Sequence, residues 1–152
     1  MDVLYGCNLF DLSGMQSHLA LLPSILPETL FGKLTRVYIF WSWFRAVPVV
    51  ERKEVLTRQD RAWIQSWESI AAMQSLNYLS IQLRITGALC EYWIKHEDDA
   101  LLPVRKVTRP RHFKLEVPFP ANPTGTISKD LEHIFIRIGP TWLGKPIVWP
   151  RA

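Results

Sequence analysis

The spacing of apolar residues changes abruptly between residues 63 and 85. Apolar side chains first recur every three or four positions, at Trp63, Ile64, Trp67, Ile70 and Ala71. This spacing predicts an amphipathic helix, with Thr57 as its N-cap, Asp60 in a capping-box position and an end near Met73. From Leu76 the interval becomes two, which predicts a strand over Tyr78–Ile85. A helix that leads directly into a hydrophobic strand is typical of parallel α/β folds.

Similar patterns predict the other elements. Further strands are predicted at Val3–Phe10, Thr35–Trp41, His112–Val117 and Leu131–Ile138. Both alternating sets of side chains in Thr35–Trp41 are largely apolar, which predicts a strand covered on both faces. In Leu131–Ile138 the pattern places three isoleucines on one face: Ile134, Ile136 and Ile138. The alternation of strands and helices predicts an α/β fold with a small, mostly parallel sheet.

Two more helices complete the predicted order. One begins at Ser13, whose hydroxyl fits a capping box with Gln16, and is shortened by Pro23 and Pro27. The other covers Cys90–His96 and continues toward Leu102. An exposed loop is expected over residues 46–56. Because prolines cluster after residue 102, an irregular Pro-rich C-terminal segment is expected.

One apolar pattern occurs twice. Leu34-x-x-Val37-x-Ile39-x-Trp41 matches Leu76-x-x-Leu79-x-Ile81-x-Leu83, with 42 residues between equivalent positions. This is the core pattern of a leucine-rich repeat, although the asparagine that normally follows is absent. The sequence therefore predicts leucine-rich-repeat-like stacked βα units.

Length and composition bound the class of protein. The 152 residues predict one domain over residues 1–140 and a C-terminal tail over residues 141–152. Two cysteines, Cys7 and Cys90, allow a single bridge but are interpreted as buried thiols. Apolar runs fall short of the ~20 residues of a membrane span, and a signal peptide is not evident, which predicts an intracellular (cytoplasmic or nuclear) protein. The net charge of +4 permits weak attraction to polyanions.

Several short segments occur in a recognisable order. They are Val3-Leu4-Tyr5, Asn8-Leu9-Phe10-Asp11, Leu21-Leu22-Pro23, Leu26-Pro27, Ile39-Phe40-Trp41, Trp63…Trp67…Ala72-Met73…Leu76…Leu79, Val107-Thr108-Arg109-Pro110, Phe113-Lys114-Leu115 and Pro118. Over residues 2–140 the chain resembles an uncharacterised domain family of filamentous fungi, often found downstream of an F-box-like segment. The resemblance implies no catalytic residue. Members normally carry a preceding F-box-like helix pair, whereas this sequence begins at its first strand. Either the sequence is truncated or the domain works without that segment, so a ubiquitin-ligase role does not carry over from the resemblance.

Residue types that support catalysis or metal binding are scattered. The histidines lack metal-ligand spacing and do not neighbour a cysteine, so neither a metal nor a cofactor is expected. Cys90 and His96 are six residues apart on one predicted helix, and they therefore point to different faces. An acidic cluster consists of Glu91, Glu97, Asp98 and Asp99. Such carboxylates could serve acid–base chemistry if one were buried, but a solvated helix face is the preferred interpretation.

Two sets of residues are candidate binding sites. The densest basic stretch consists of Arg105, Lys106, Arg109, Arg111 and Lys114, and it is a candidate for binding polyanions. Ligands of open α/β sheets bind at the carboxyl ends of strands. The pocket candidates there are Trp41, Trp43, Arg45 and Arg84.

Three functional hypotheses follow. The first is a non-catalytic binding or scaffold module that contacts a protein partner or a second copy as a homodimer. The second is a small enzyme that acts on a hydrophobic metabolite in a Trp-lined pocket. The third is a weak polyanion- or nucleic-acid-binding adaptor.

Overall fold

Five parallel strands form one sheet in the computed structural model, which describes residues 9–13, 16–43, 58–85, 87–119, 122 and 124–137. The strands are β1 (Phe10–Asp11), β2 (Arg36–Trp43), β3 (Tyr78–Ile85), β4 (His112–Val117) and β5 (Phe135–Arg137). Their order in the sheet is their order in the chain, and every neighbouring pair is parallel. The predicted α/β class with a mostly parallel sheet is confirmed.

Helices connect successive strands. They are α1 (Gln16–Leu19), α2 (Leu22–Ile25), α3 (Glu28–Phe31), α4 (Arg58–Ala72), α5 (Gly87–Leu101) and α6 (Thr126–Asp130). Two 3₁₀ helices, Leu102–Lys106 and Glu132–Ile134, follow α5 and α6. Across the described ranges, none of the helices has both the length and the apolar character that crossing a bilayer requires.

Alternate side chains of each long strand form the core. In β3 the buried set is Leu79, Ile81, Leu83 and Ile85, and the intervening residues are half-buried or exposed. Helix α4 packs on the buried side through Trp63, which meets Trp41 of β2 edge to face at 5.0 Å between ring centroids. The strand period of two therefore assigns one sheet face to the helices and leaves the other polar.

The two copies of the repeated pattern lie side by side. Val37 is the partner of Leu79 in the β2–β3 ladder, and the pairing continues two residues at a time to Trp41 and Leu83. The segments before the strands also associate, since the backbone N–H groups of Asn77 and Tyr78 donate to the carbonyl oxygen of Thr35 at 2.8 and 3.0 Å. Equivalent positions in the pattern therefore occupy equivalent positions in the sheet.

The prediction that β2 is covered on both faces is wrong for most of its second face. Arg36 is exposed, and Tyr38 and Phe40 are half-buried on the face opposite Val37 and Ile39. A sheet in chain order explains this, because crossovers of one hand place successive helices on the same side. Apolar character on the second face of β2 therefore reflects two aromatic side chains on a partly open surface.

The N-terminal helical segment differs from the prediction. Ser13 does not begin a long helix, and its hydroxyl accepts the backbone N–H of Phe40 at 2.8 Å, which ties the end of β1 to β2. Three short helices follow instead, because Pro23 lies in the first turn of α2 and Pro27 precedes α3.

The C-terminal elements also differ. Helix α5 begins at Gly87, three residues before the predicted Cys90, and continues to Leu101 as predicted, but it bends at His96, whose φ and ψ are −127° and 21°. Strand β5 has three residues, and Ile134 lies before it in a 3₁₀ helix, so the predicted single face of isoleucines is wrong. Predictions for Cys7, the loop over residues 46–56, Thr57 and the tail over residues 141–152 lie outside the described residues, as does the side chain of Cys90.

The division between the two sheet faces can be tested with adjacent residues of β3. We expect Ile81→Ala to lower the free energy of unfolding by about 2–5 kcal/mol, because it leaves a cavity in the buried layer. Ser80→Ala, on the opposite face, should cost less than about 0.5 kcal/mol. Urea denaturation measures both values, and equal costs would contradict the assignment of faces.

Candidate functional site

The predicted pocket residues do not share one face. Trp41 is buried on the helix-covered face against Trp63, whereas Arg84 is exposed on the opposite face, beside Ser42 of β2. The backbone of Trp43 ends β2, but its side chain and all of Arg45 lie outside the described residues. The structure therefore places Trp41 and Arg84 on opposite faces of the sheet. A pocket that involves Trp43 and Arg45 stays a prediction.

The described tryptophans belong to the core. Trp63 and Trp67 meet edge to face at 5.1 Å, and Trp67 lies 6.1 Å from the Phe113 ring. The indole N–H of Trp63 donates to the carbonyl oxygen of Ala100 at 2.8 Å. Such aromatic pairs add packing energy to the area that they bury, so these rings serve to join α4 to the sheet and to α5.

The predicted basic stretch is divided by the fold. Arg105 and Lys106 lie in the first 3₁₀ helix and pair with Asp130 at 3.8 Å and Glu68 at 2.7 Å. Arg109, Arg111 and Lys114 are exposed, and among the described residues none of their side chains forms an ion pair with a carboxylate. These three lie just before β4 or on it.

The polar face of the sheet brings together side chains from all five strands. By ladder register it has four rows: Arg36–Tyr78–His112, then Asp11–Tyr38–Ser80–Lys114, then Phe40–Gln82–Glu116–Ile136, and last Ser42–Arg84. Apart from Ser42, which is buried, these side chains are half-buried or exposed. Rows are spaced about 7 Å apart along the strands. The polar face therefore brings polar groups from strands that are distant in the sequence onto one surface.

A chain of hydrogen bonds crosses the middle of this face. The Tyr38 hydroxyl donates to Gln82 Oε1 at 2.9 Å, and Gln82 Nε2 donates to Glu116 Oε1 at 2.6 Å. These bonds orient the Gln82 amide and join β2, β3 and β4 through their side chains. The Tyr38 hydroxyl proton and one Gln82 N–H are used within the chain, whereas the Tyr38 oxygen and the Glu116 carboxylate keep accepting capacity toward a ligand.

Burial, charge and hydrogen bonding shift the pKa values of two groups on the polar face. Burial, followed by the charges of Glu116 and Asp11, raises the pKa of Tyr38 above its ordinary value. Hydrogen bonds from the Ser13 hydroxyl and then from its backbone N–H lower the pKa of Asp11. At neutral pH Asp11 is therefore ionised and Tyr38 is protonated.

Aromatic and basic groups meet in the first row. The Arg36 guanidinium lies over the Tyr78 ring, 5.5 Å from its centroid. This cation–π contact positions the arginine without neutralising its charge.

The acidic cluster on α5 has a structural use that the sequence does not reveal. Glu97 is buried, contrary to the predicted solvated face, and pairs with Arg137 Nη1 at 2.8 Å. Arg137 also pairs with Glu132 at 3.1 Å and lies over the Phe135 ring.

Asp98, the next residue of the acidic cluster, accepts the backbone N–H of Thr126 at 2.8 Å and so caps α6. Both carboxylates attach the C-terminal elements to α5, and in the described residues His, Cys, Asp and Glu form no group of three that could hold a metal ion.

A family model for a domain of unknown function, DUF7730, matches residues 1–138. The chain belongs to this family. The predicted membership of an uncharacterised domain family is confirmed. Searches of curated proteins and of solved structures found no match.

The electrostatics of this DUF7730 domain can be tested at Tyr38. We expect Glu116→Gln to lower the Tyr38 pKa, but to leave it above the ordinary value of about 10, because burial, the larger cause, remains. NMR titration of the tyrosine ring signals, assigned with Tyr38→Phe, measures the shift. Because the folded pKa is raised, the contribution of Tyr38 to stability is present below pH ~10 and lost as pH rises through the folded pKa. Glu68→Gln is the control, and an unchanged Tyr38 pKa in Glu116→Gln would contradict the stated coupling.

The Glu97–Arg137 pair gives a second prediction for the DUF7730 domain. Glu97→Ala should lower the free energy of unfolding by on the order of 3 kcal/mol, because it removes the buried partner of a nearly buried arginine. Glu132→Ala, which removes the half-exposed partner of the same arginine, should cost less than about 1 kcal/mol. If urea denaturation gave similar costs, burial would not set the strength of this contact.

Proposed function

We propose that this DUF7730 domain is a non-catalytic binding module that contacts a protein partner through the polar face of its sheet. The observation that carries the proposal is the arrangement of that face. All five strands contribute to a surface on which charged, amide and aromatic side chains predominate, and the apolar core anchors it on the opposite side. Protein-binding surfaces combine aromatic and arginine side chains with polar groups in this manner.

A leucine-rich-repeat-like arrangement is part of this proposal. It is supported by the all-parallel sheet in chain order and by the register that places Val37 beside Leu79 and Trp41 beside Leu83. In stacked βα units, the sheet presents one face to partners, and the helices cover the other. The fungal origin, the F-box association and the intracellular location inferred from the sequence remain predictions.

The hypothesis of a small enzyme with a Trp-lined pocket has less support. Four tryptophans that could line a metabolite pocket are instead buried in the core, namely Trp41, Trp63, Trp67 and Trp93. Among the pocket candidates, Arg84 lies on the polar face and can contribute to partner binding there. A second copy of the chain is one form that the protein partner can take, so the homodimer stays within the proposal.

The binding face can be tested by selection from a library of short random peptides displayed on phage. We expect peptides recovered on the wild-type domain to bind at least about tenfold more weakly to Ser80→Trp, because the new ring covers the centre of the polar face. Gln65→Trp, on the exposed surface of α4, is the matched control and should leave affinity unchanged. Isothermal titration measures the affinities, and circular dichroism verifies the fold of each variant.

Gln82→Leu is a second variant for this experiment, since it removes the central amide with little change in volume. Peptides that are insensitive to both Ser80→Trp and Gln82→Leu would place binding elsewhere and contradict the proposal. If selection recovers no peptide, the protein partner that remains is a second copy of the chain bound to the same face. The wild-type mass in static light scattering must then exceed that of Ser80→Trp.

A further inference from the structure

Charge is distributed unevenly over the polar face. The first two rows carry Arg36, His112 and Lys114, and residues Arg109 and Arg111 lie in the segment that leads into β4 at the same end of the sheet. All five are exposed. We call this group the basic end. Glu116 occupies the third row, about 7 Å beyond Lys114 along β4.

Within the described residues, carboxylates pair with Arg105 and Lys106 of the basic stretch but not with the three members of the stretch that belong to the basic end. Arg105 and Lys106 are offset by Asp130 and Glu68 on the helical side of the molecule. Among the described residues, no carboxylate pairs with Arg109, Arg111 or Lys114. Unbalanced positive charge concentrated at one end of a surface attracts a negatively charged partner and raises its rate of association.

The sign of the charge changes within one or two rows. The Asp11 carboxylate and Tyr38 lie in the same row as Lys114, nearer the β1 edge, and Gln82 and Glu116 lie one row beyond it. These groups offer acceptors and negative charge. A long polyanion that followed the strands would meet Glu116 and Asp11 at close range. A peptide satisfies both regions, because its acidic side chains can face the basic end while its backbone N–H groups donate to the acceptors.

We propose that the basic end of the polar face binds an acidic peptide segment of a partner protein. Carboxylates of that segment pair with Arg36, Arg109, Arg111 and Lys114, and N–H groups of the same segment donate to the Tyr38 oxygen and the Glu116 carboxylate. This inference rests on the proposed function, since it names the chemistry of the partner that the polar face recognises.

The experiment compares two double variants that remove the same amount of charge. Arg109→Gln with Lys114→Gln alters the basic end, and Arg105→Gln with Lys106→Gln alters the neutralised pair. The probes are two fluorescein-labelled peptides of equal length, one built of Glu, Tyr, Ser and Gly and the other with each Glu replaced by Lys. Fluorescence anisotropy measures binding at low and high salt.

We expect the glutamate peptide to bind the wild type more tightly than the lysine peptide, and to lose affinity as salt rises. The basic-end variant should bind it about three- to tenfold more weakly, and the neutralised-pair variant within about twofold of the wild type. Equal losses in both variants would show an effect of net charge alone and would overturn the inference.

Two further outcomes separate this inference from the proposed function. If the domain preferred the lysine peptide, or bound the two peptides equally, the acidic partner would be overturned. The proposed function would still be tested separately, by the effect of Ser80→Trp on the binding of peptides selected from the library. Tighter binding of labelled oligothymidine than of the glutamate peptide, lost in the basic-end variant, would replace the peptide with a nucleic acid and overturn the inference.

Discussion

The layer of alternate side chains from β2, β3 and β4 is the constraint on which the rest of the structure depends. Val37, Leu79 and Phe113 lie side by side in it, and α4 packs on the layer through Trp63, against Trp41, and through Trp67, against Phe113. Since strand side chains alternate between faces, burial of this set fixes the direction of every other residue in the three strands. The polar face is therefore a geometric consequence of the core, and its rows are as well defined as the buried layer beneath them.

Elements with a strong period could be predicted from the sequence. Strand β3 has the predicted bounds, and α4 ends one residue before the predicted Met73. Each of these two elements contains many apolar residues that follow a single period. The second face of β2 was not predictable from its apolar character, because Tyr38 and Phe40 are aromatic yet only half-buried. Whether an aromatic ring lies in a core or on a partly open face depends on the topology, which a single strand does not encode.

The polar contacts were the least predictable part. Glu97 and Arg137 are 40 residues apart in the sequence, and nothing in either local pattern relates them. Ser13 fits a helix cap by spacing, but in the fold its hydroxyl lies within reach of the Phe40 N–H of a neighbouring strand. The basic stretch shows the same limit. Its five cations look alike in the sequence, and only the positions of Asp130 and Glu68 distinguish the neutralised pair from the basic end.

Agreement between strand order and chain order has a consequence for how such a domain can diversify. Each strand lies beside the strands that precede and follow it, so one strand–helix unit interacts mainly with its immediate neighbours. Gain or loss of a unit would lengthen or shorten the ladder without rearranging the remaining ones. A lineage could thus adjust the width of the surface by duplication of a gene segment and the chemistry of each row by substitution at every second position, while the buried alternates stay under separate selection.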